Sequence, residues 1–353
     1  NMSSVRKYLI SLGALFVILS PIQQASATDN SIDSLIQAVE QAAEEGNVDA
    51  QFKLGVMYEY GKEFPQDFSK AMYWYLKASD QGHGDAQFAI SGLYFLGNGV
   101  PKDDKKGGQW LIQAIENGSV KAQNFILGIY IEDSHTKAEQ GDADAQFKLA
   151  GMYYNGEGVA KDYAKAAHWF LKAAVQGNAS AQSMLGGMYY RGEGLPKDYA
   201  KAVHWYRKAA EQGKAGAQNA LGLMYYHSEG VAKDYAEAVH WYRKAAEQRN
   251  AFAQYALGGM YYRGEGVAKD YAEAVHWYRK AGEQGFADAQ RSLGGMYDHG
   301  VGVSQNYVYA YAWLSLSAAQ GREGSVKLRD LLKSEMTKEQ IAEAQKLAPS
   351  LLK

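Results

Sequence analysis

The stretch NASAQSMLGGMYYRGEGLPKDYAKAVHWYRKAAEQG, residues 178–213, contains the complete structural repeat from which this chain is built. In its first half, Ala181, Leu185, Met188 and Tyr189 follow one another at the spacing of a single helix face. In its second half, small alanines alternate with large aromatic side chains, an arrangement that lets two helices approach closely while the rings fill the gaps. The pattern predicts two amphipathic helices.

The segment RGEGLPKD between these halves has the residues of a helix-to-helix turn. Gly192 is placed to end the first helix in the left-handed conformation, and Gly194 is expected to relax the turn. Asp198 can cap the second helix by accepting backbone N–H bonds. Because the linker to the next repeat is also short, the helices are expected to be antiparallel and stacked in a row.

An Ala-Gln pair marks each recurrence of the repeat. The intervals between successive glutamines are 36 residues, except for one of 23 residues, at Gln51, Gln87, Gln123, Gln146, Gln182, Gln218, Gln254 and Gln290. A tryptophan marks each complete second helix, at Trp74, Trp110, Trp169, Trp205, Trp241, Trp277 and Trp313. The sequence therefore predicts an all-α fold, a right-handed α/α solenoid superhelix of about eight helix-turn-helix repeats, one of them truncated.

The expected domain organisation follows this repeat. We expect a capping helix over residues 28–46, repeats over residues 47–134 and 135–320, and capping helices over residues 321–353. The C-terminal segment contains a capping-box pattern at Thr337 and Gln340. End helices of this kind keep an open solenoid soluble.

The short interval falls in GIYIEDSHTKAEQGDADAQ, residues 128–146. This repeat keeps its first helix from Val120 and the end of its second helix from Lys137, but it lacks the Gly-x-Gly turn, the aspartate cap and the tryptophan. Two structures are compatible with the deletion: a short stub of a second helix, or one continuous helix. The deletion is either a tolerated loss without a role or a hinge between two arms of the solenoid.

The N-terminal segment has the pattern of a secretory signal peptide. Arg6 and Lys7 precede a 13-residue apolar run, and a small-x-small pattern ends at Ala27. We expect cleavage after Ala27 and an exported protein, periplasmic or secreted, with an uncleaved anchor as the alternative. The sequence contains no cysteine, so disulfides and thiol chemistry are excluded.

Residue patterns for catalysis, cofactors or metals are missing from the sequence. No G-x-S-x-G, H-E-x-x-H, phosphate-loop or dinucleotide-binding motif occurs, and we expect no catalytic, cofactor-binding or metal-binding residue. A histidine precedes four of the tryptophans, but successive repeats stack about 10 Å apart, too far for ligands of one zinc ion. The histidines concerned are His168, His204, His240 and His276.

The pattern A-x-A-Q-x-x-L-G-x-M-Y-x-x-G-x-G-V-x-x-D-x-x-x-A-x-x-W-x-x-K-A-A over about residues 46–320 resembles the Sel-one-like repeat (SLR) family, which is related to tetratricopeptide repeats. Glu63, Ser228 and Asn306 depart from this pattern at turn and cap positions. The resemblance implies an adaptor that assembles complexes, and for an exported bacterial member an envelope or host-interaction role. A cysteine-rich branch is described as binding or hydrolysing β-lactams; because this chain has no cysteine, a β-lactamase-like or penicillin-binding activity is the alternative only.

Three positions on the first helix vary between repeats while the core positions hardly change. They lie one, eight and nine residues after the glutamine and are expected on the concave surface, where aromatic side chains suit protein or peptide binding. A glycan or peptidoglycan ligand and an unconstrained surface are the alternatives, and the mildly acidic charge of the chain argues against nucleic acid. The candidate partner-binding residues are Phe52, Tyr60, Phe88, Phe95, Phe147, Tyr154, Tyr190, Arg191, Tyr226, His227, Tyr255, Tyr262, Arg263 and Arg291.

Overall fold

A computed structural model describes residues 29–352, and this part of the chain contains eighteen α-helices and no strand. The proposed signal peptide, residues 1–27, lies outside the described residues. None of the helices described is both long enough and apolar enough to cross a membrane. The chain divides after Gln140 into two compact units, called here the N-terminal unit and the C-terminal unit.

The N-terminal unit contains a first helix, two complete helix pairs and a long final helix. These are α1 (Asp29–Glu44), α2 (Val48–Tyr60), α3 (Phe68–Asp80), α4 (Gly84–Leu96), α5 (Asp104–Glu116) and α6 (Val120–Glu139). The 20-residue helix α6 crosses the whole truncated repeat without interruption. Of the two structures compatible with the deletion, the continuous helix is therefore the correct one.

The C-terminal unit contains five complete helix pairs and two end helices. The pairs are α7 (Ala143–Asn155) with α8 (Tyr163–Val175), α9 (Ala179–Arg191) with α10 (Tyr199–Glu211), α11 (Ala215–His227) with α12 (Tyr235–Glu247), α13 (Ala251–Arg263) with α14 (Tyr271–Glu283), and α15 (Ala287–His299) with α16 (Tyr307–Ala319). The end helices are α17 (Glu323–Lys333) and α18 (Lys338–Ser350). Both pack against α16, and α18 begins with the expected capping box of Thr337 and Gln340.

The helix ends confirm the expected turn chemistry. Gly192 follows α9 with a φ of 74°, and its N–H donates to the Met188 carbonyl. The Asp198 side chain accepts from the Lys201 N–H at the start of α10. Ser228 replaces the first glycine but keeps the same left-handed conformation, with a φ of 64°, and Asn306 caps α16 as aspartate does elsewhere. These two departures leave the helix ends unchanged, whereas Glu63 lacks the positive φ that glycine has at the same turn position in the other complete repeats.

The second glycine of the turn has a role that the sequence did not indicate. A Cβ atom added to Gly194 would lie 2.2 Å from the Tyr163 carbonyl oxygen, which belongs to the first turn of α8 in the preceding repeat. Gly230, Gly266 and Gly302 approach the preceding repeat in the same way. The turn glycine is therefore a contact between repeats, because no side chain fits there, as well as a residue that relaxes the turn.

In each complete helix pair, a small residue of the first helix packs against a large side chain of the second helix. In α9, Gly186 lies under the ring of Tyr206 from α10, where an added Cβ would be 2.8 Å from the ring carbon Cδ1. Leu185 and Met188 beside it are fully buried. The backbone of the first helix thus approaches an aromatic ring directly, which brings the two helices of the pair close together.

The glutamine of the Ala-Gln pair is buried and joins three consecutive helices. Gln182 on α9 donates to the Ala174 carbonyl at the end of α8 over 3.0 Å. Its side-chain oxygen accepts from Gln212, which follows α10, over 2.8 Å. Other glutamines of the Ala-Gln pairs also donate to the backbone carbonyl eight positions earlier in the chain. They are Gln51, Gln87, Gln218, Gln254 and Gln290. The glutamine therefore connects a repeat both to its predecessor and to its own second helix.

We expect Gln218→Ala to lower the free energy of unfolding by about 1–3 kcal/mol, because it leaves the Ala210 carbonyl and the Gln248 amide without their buried partner. Urea-induced unfolding of the purified protein measures the change. Gln123→Ala is the matched control, since Gln123 occupies the same position in the truncated repeat and is exposed; it is expected to change stability by less than about 0.5 kcal/mol. Equal effects of the two substitutions would contradict the structural role of the buried glutamine.

The glycine contact between repeats gives a second stability test. Gly194→Ala is expected to destabilise by clearly more than Gly213→Ala, although both glycines have a positive φ, 67° and 88°. An alanine at Gly213 meets nothing within 4 Å, so its cost is only that of the left-handed conformation, about 1–2 kcal/mol. Gly194→Ala adds a backbone clash, and thermal unfolding of both variants compares the two. A smaller loss for Gly194→Ala would rule out the close contact.

Candidate binding surface on the first helices

Two of the three variable positions lie near the C-terminal end of each first helix, which the left-handed residue then ends; the position directly after the glutamine lies nearer the start of the helix. The positions eight residues after the glutamine are called here the inner positions, and those nine residues after it the outer positions. In the complete repeats the inner positions are Glu59, Phe95, Tyr154, Tyr190, Tyr226, Tyr262 and Asp298. The outer positions are Tyr60, Leu96, Asn155, Arg191, His227, Arg263 and His299.

Every outer position of the complete repeats is exposed, whereas every inner position except Tyr262 is partly buried. The helix turns by 100° per residue, so neighbouring positions face different surroundings. The inner side chain rests against the start of the second helix: the ring centroids of Tyr154 and Tyr163 are 5.1 Å apart, and those of Tyr190 and Tyr199 are 5.2 Å apart. The outer side chain has no such support and can contact a ligand.

The inner tyrosines of the C-terminal unit also bind the next repeat. The Tyr154 hydroxyl donates to Glu193 over 2.8 Å and accepts from Arg191 over 3.0 Å. Arg191 and Glu193 form an ion pair at 2.9 Å. The triad of Tyr226, Arg263 and Glu265 repeats this arrangement two repeats later. These hydroxyls are therefore part of the contact between repeats, and the charge of each outer arginine is balanced by its own glutamate.

The titration behaviour of these groups agrees with that arrangement. Burial and the hydrogen bond to Glu193 raise the pKa of the Tyr154 phenol. The hydrogen bond from Arg191 lowers the pKa of the Glu193 carboxyl. Burial and Glu229 likewise raise the pKa of Tyr190 in the intervening repeat. A raised phenol pKa keeps Tyr154 neutral and a lowered carboxyl pKa keeps Glu193 ionised near neutral pH, so the Tyr154–Arg191–Glu193 triad keeps its charges there.

The last repeat lacks this acidic partner. Val301 occupies the place that Glu265 has one repeat earlier, and Tyr262 remains 40% exposed. Its ring contacts only Tyr271 among the aromatic rings of the described residues, with 5.1 Å between centroids. Together with Arg263 it forms the most accessible pair of the predicted binding residues in the C-terminal unit.

Some of the remaining predicted residues pack against neighbouring helices, and others are exposed. Phe147 packs against Phe170, and Tyr255 packs against Tyr278 and Phe286, so both are half-buried. Arg291 is exposed. The sequence placed all of them on one binding surface, and the structure shows these two aromatic rings supporting the second helix or the following loop.

In the N-terminal unit, Phe52, Phe88 and Phe95 are half-buried and Tyr60 is 39% exposed. Glu59 takes the place of the inner tyrosine and accepts a hydrogen bond of 2.5 Å from the buried Tyr75 hydroxyl. Burial raises the pKa of the Glu59 carboxyl despite that bond. The outer residues here, Tyr60 and Leu96, are apolar where the C-terminal unit has polar and basic ones, so the two units present different chemistry.

The structure places the four repeated histidines on exposed positions of α8, α10, α12 and α14, each in edge contact with its neighbouring tryptophan. Within residues 29–352, no three His, Asp or Glu side chains come together in a way that could hold a metal ion. The surface offers hydrogen-bond donors, ion pairs and ring faces, which are groups for recognition.

Sequence reasoning missed the glutamate of the Gly-Glu-Gly turn as a functional neighbour. Glu193, Glu229 and Glu265 each precede the second turn glycine, and the structure brings each one to the inner tyrosine of the preceding repeat. The signal was available: these three repeats have glutamate there, and the tyrosine 39 residues earlier is present in each case.

A model of the Sel1 repeat matches seven stretches of the chain, residues 48–83, 84–119, 143–178, 179–214, 215–250, 251–286 and 287–321. No stretch matches over residues 120–142, where the truncated repeat lies. No protein with a curated description matches the chain.

The solved structures that are similar to this one include two at 31% sequence identity. A Sel1 repeat protein from Oxalobacter formigenes is 31% identical with a TM-score of 0.50, and the match covers 93% of this chain and 86% of that chain. A protective antigen present in uropathogenic Escherichia coli strains, which displays an SLR fold, is 31% identical with a TM-score of 0.45, covering 90% of this chain and 78% of that chain. Together with the helix pairs, the first match confirms the predicted α/α solenoid of helix-turn-helix repeats.

Glu59 gives a test of the inner positions. Its pKa is raised above 4.5 in the folded protein, so its contribution to stability is fully present below about pH 4.5 and is lost as the pH rises through the raised value. Glu59→Gln keeps an acceptor for Tyr75 and removes the charge. We expect the variant to gain stability relative to the unmodified protein between about pH 4 and pH 7, as measured by urea unfolding.

Glu63→Gln is the control, because Glu63 is an exposed carboxylate in the same turn region. It is expected to leave the pH dependence of unfolding unchanged. A Glu59→Gln variant that loses stability towards neutral pH would show that the Glu59 carboxylate is stabilised by the fold.

Proposed function

The chain belongs to the Sel1 repeat family, and we propose that it is a non-catalytic scaffold or adaptor that binds a protein or peptide through the outer positions of its first helices. The repeat fold is one that serves as a protein-interaction scaffold. The observation that carries the proposal is the exposure of every outer position in the complete repeats, on a frame whose core positions are nearly constant. Exposed side chains that vary from repeat to repeat on such a frame suit recognition of one extended ligand.

The chemistry of the outer positions supports a ligand with both apolar and acidic groups. Tyr60 and Leu96 of the N-terminal unit supply apolar contact area. Arg191, His227 and Arg263 of the C-terminal unit supply hydrogen-bond donors; each arginine pairs with its own glutamate, and its remaining N–H groups suit a ligand carboxylate. Arginine and tyrosine are the residues most often found at energetic centres of interfaces.

The N-terminal segment supports action outside the cytoplasm. Its basic residues, 13-residue apolar run and small-x-small ending have the order of a secretory signal peptide. We therefore propose an exported scaffold, periplasmic or secreted, whose partner is a protein of the bacterial envelope or of a host.

Alanine substitution of three outer positions tests the binding surface. The variant is Arg191→Ala, His227→Ala, Arg263→Ala. We expect this variant to capture at least about tenfold less partner from envelope or host extracts than the unmodified protein does, since each position contributes to the contact. Quantitative mass spectrometry of the captured proteins measures the loss, and circular dichroism checks that the variant is folded.

The matched control replaces three exposed residues of the second helices in the same repeats of the C-terminal unit: His204→Ala, His240→Ala, His276→Ala. Capture should be unchanged in this variant. Equal capture by both variants would contradict the proposed surface. Sedimentation with peptidoglycan in place of protein capture would assign a glycan ligand, and turnover of nitrocefin would overturn the non-catalytic role.

A further inference from the structure

The helix of the truncated repeat, α6, presents an apolar face to solvent. Ile126 is 42% exposed, Leu127 36% and Tyr130 44%. All three lie within five residues of one another and fall on one side of the helix, at positions i, i+1 and i+4. Exposed apolar residues of the other first helices, such as Tyr60 and Leu96, lie at the ends of those helices, whereas this face lies in the middle of α6.

The corresponding residues of the complete repeats are buried. At the position of Ile126, three residues after the glutamine, every complete repeat has a leucine or isoleucine that is at most 2% exposed: Leu54, Ile90, Leu149, Leu185, Leu221, Leu257 and Leu293. At the position of Tyr130, every complete repeat has a tyrosine that is partly or fully buried: Tyr58, Tyr94, Tyr153, Tyr189, Tyr225, Tyr261 and Tyr297. A second helix of the same repeat packs against each first helix, and α6 has none.

Leu127 shows how an occupant of this face must differ from that second helix. Complete repeats have a glycine, serine or alanine here, and in α9 this residue, Gly186, lies directly under the Tyr206 ring. A leucine at that place would clash with the ring. In the truncated repeat, Leu127 therefore projects where a complete repeat has space for a ring. A complementary helix needs a small residue at the position where α10 has Tyr206.

Among the described residues of the N-terminal unit, from Asp29 to Gln140, none folds back over the face. The residues that form the turn in a complete repeat continue here as helix to Glu139. Glu132 and Asp133 lie at the C-terminal end of the face; Asp133 forms an ion pair with Lys137 over 2.6 Å, and the Glu132 carboxylate brings negative charge. A helix placed antiparallel to α6 would direct the positive end of its dipole towards these carboxylates, which is also the orientation of the second helix in a complete repeat.

We propose that Ile126, Leu127 and Tyr130 form a docking surface for an amphipathic helix supplied by another protein chain. The helix lies antiparallel to α6, with an apolar stripe over Ile126 and Tyr130 and a small residue over Leu127. It takes the place of the second helix that the truncated repeat lacks. This surface is separate from the outer positions and does not depend on the function proposed for them.

The test uses second-helix peptides from the chain itself, because their packing against a first helix is known. One peptide has the sequence of residues 198–212, and the other carries Tyr206→Ala in that sequence. Fluorescence anisotropy with the labelled peptides measures binding to the full chain. We expect the Tyr206→Ala peptide to bind about tenfold tighter than the native one, and Leu127→Gly in the protein to reverse this preference.

Ile126→Asp is expected to weaken binding of the Tyr206→Ala peptide at least about tenfold, because it introduces a charge into the apolar contact. Asn124→Asp, an equally charged change at an exposed polar position of α6, should leave binding unchanged. Absence of saturable binding of both peptides, or equal binding by the Ile126→Asp protein, would overturn the proposal. A dimer of the unmodified chain that Ile126→Asp dissociates in sedimentation velocity would assign the face to a second copy instead.

Discussion

The fold depends on a buried glutamine that forms hydrogen bonds both to the preceding second helix and to the end of its own second helix. Its amide donates to a backbone carbonyl at the end of the preceding second helix, and its oxygen accepts from the residue that ends its own second helix. A buried amide without partners costs free energy, so both partners must stay in reach. They lie eight residues before and 30 residues after the glutamine in every such case. Each complete repeat of 36 residues therefore places both partners within reach of the glutamine.

The truncated repeat is the exception that this constraint allows. The residue that ends α6, Gln140, is only 17 positions after Gln123, and both are exposed. Once 13 residues are lost, the second bond cannot form, and the glutamine has no reason to be buried. The helix then continues through the former turn, since the left-handed glycine that would end it is missing. The same loss uncovers Ile126 and Tyr130, so one deletion accounts for the long helix, the exposed glutamine and the exposed apolar face.

Sequence patterns were sufficient for the helices, their ends and the repeat. The helix spacing of Leu185 and Met188, the cap at Asp198 and the glycine at 192 depend on residues close together in the chain, where local physical chemistry decides the outcome. The roles of Gln182 and Gly194 depend on residues of another repeat, and a single sequence does not show which atoms approach. The same limit applies to the surface: the sequence alone does not separate the partly buried Tyr154 from the exposed Arg191 of the next repeat, because that difference arises from the packing of the Tyr154 ring against Tyr163 and Phe170.

The structure also explains where this frame can change without loss of stability. Positions that face a neighbouring helix are restricted by a ring, a backbone or a buried amide, as Gly186, Gly194 and Gln182 show. Outer positions are exposed, so apart from the bonds that Arg191 and Arg263 make to the preceding repeat, a substitution there removes little packing and costs little. New binding specificity can therefore arise at the outer positions while the 36-residue period is kept. The apolar face of α6 differs, since its exposed area persists at a cost in solubility, and such a cost is offset when a partner covers the face.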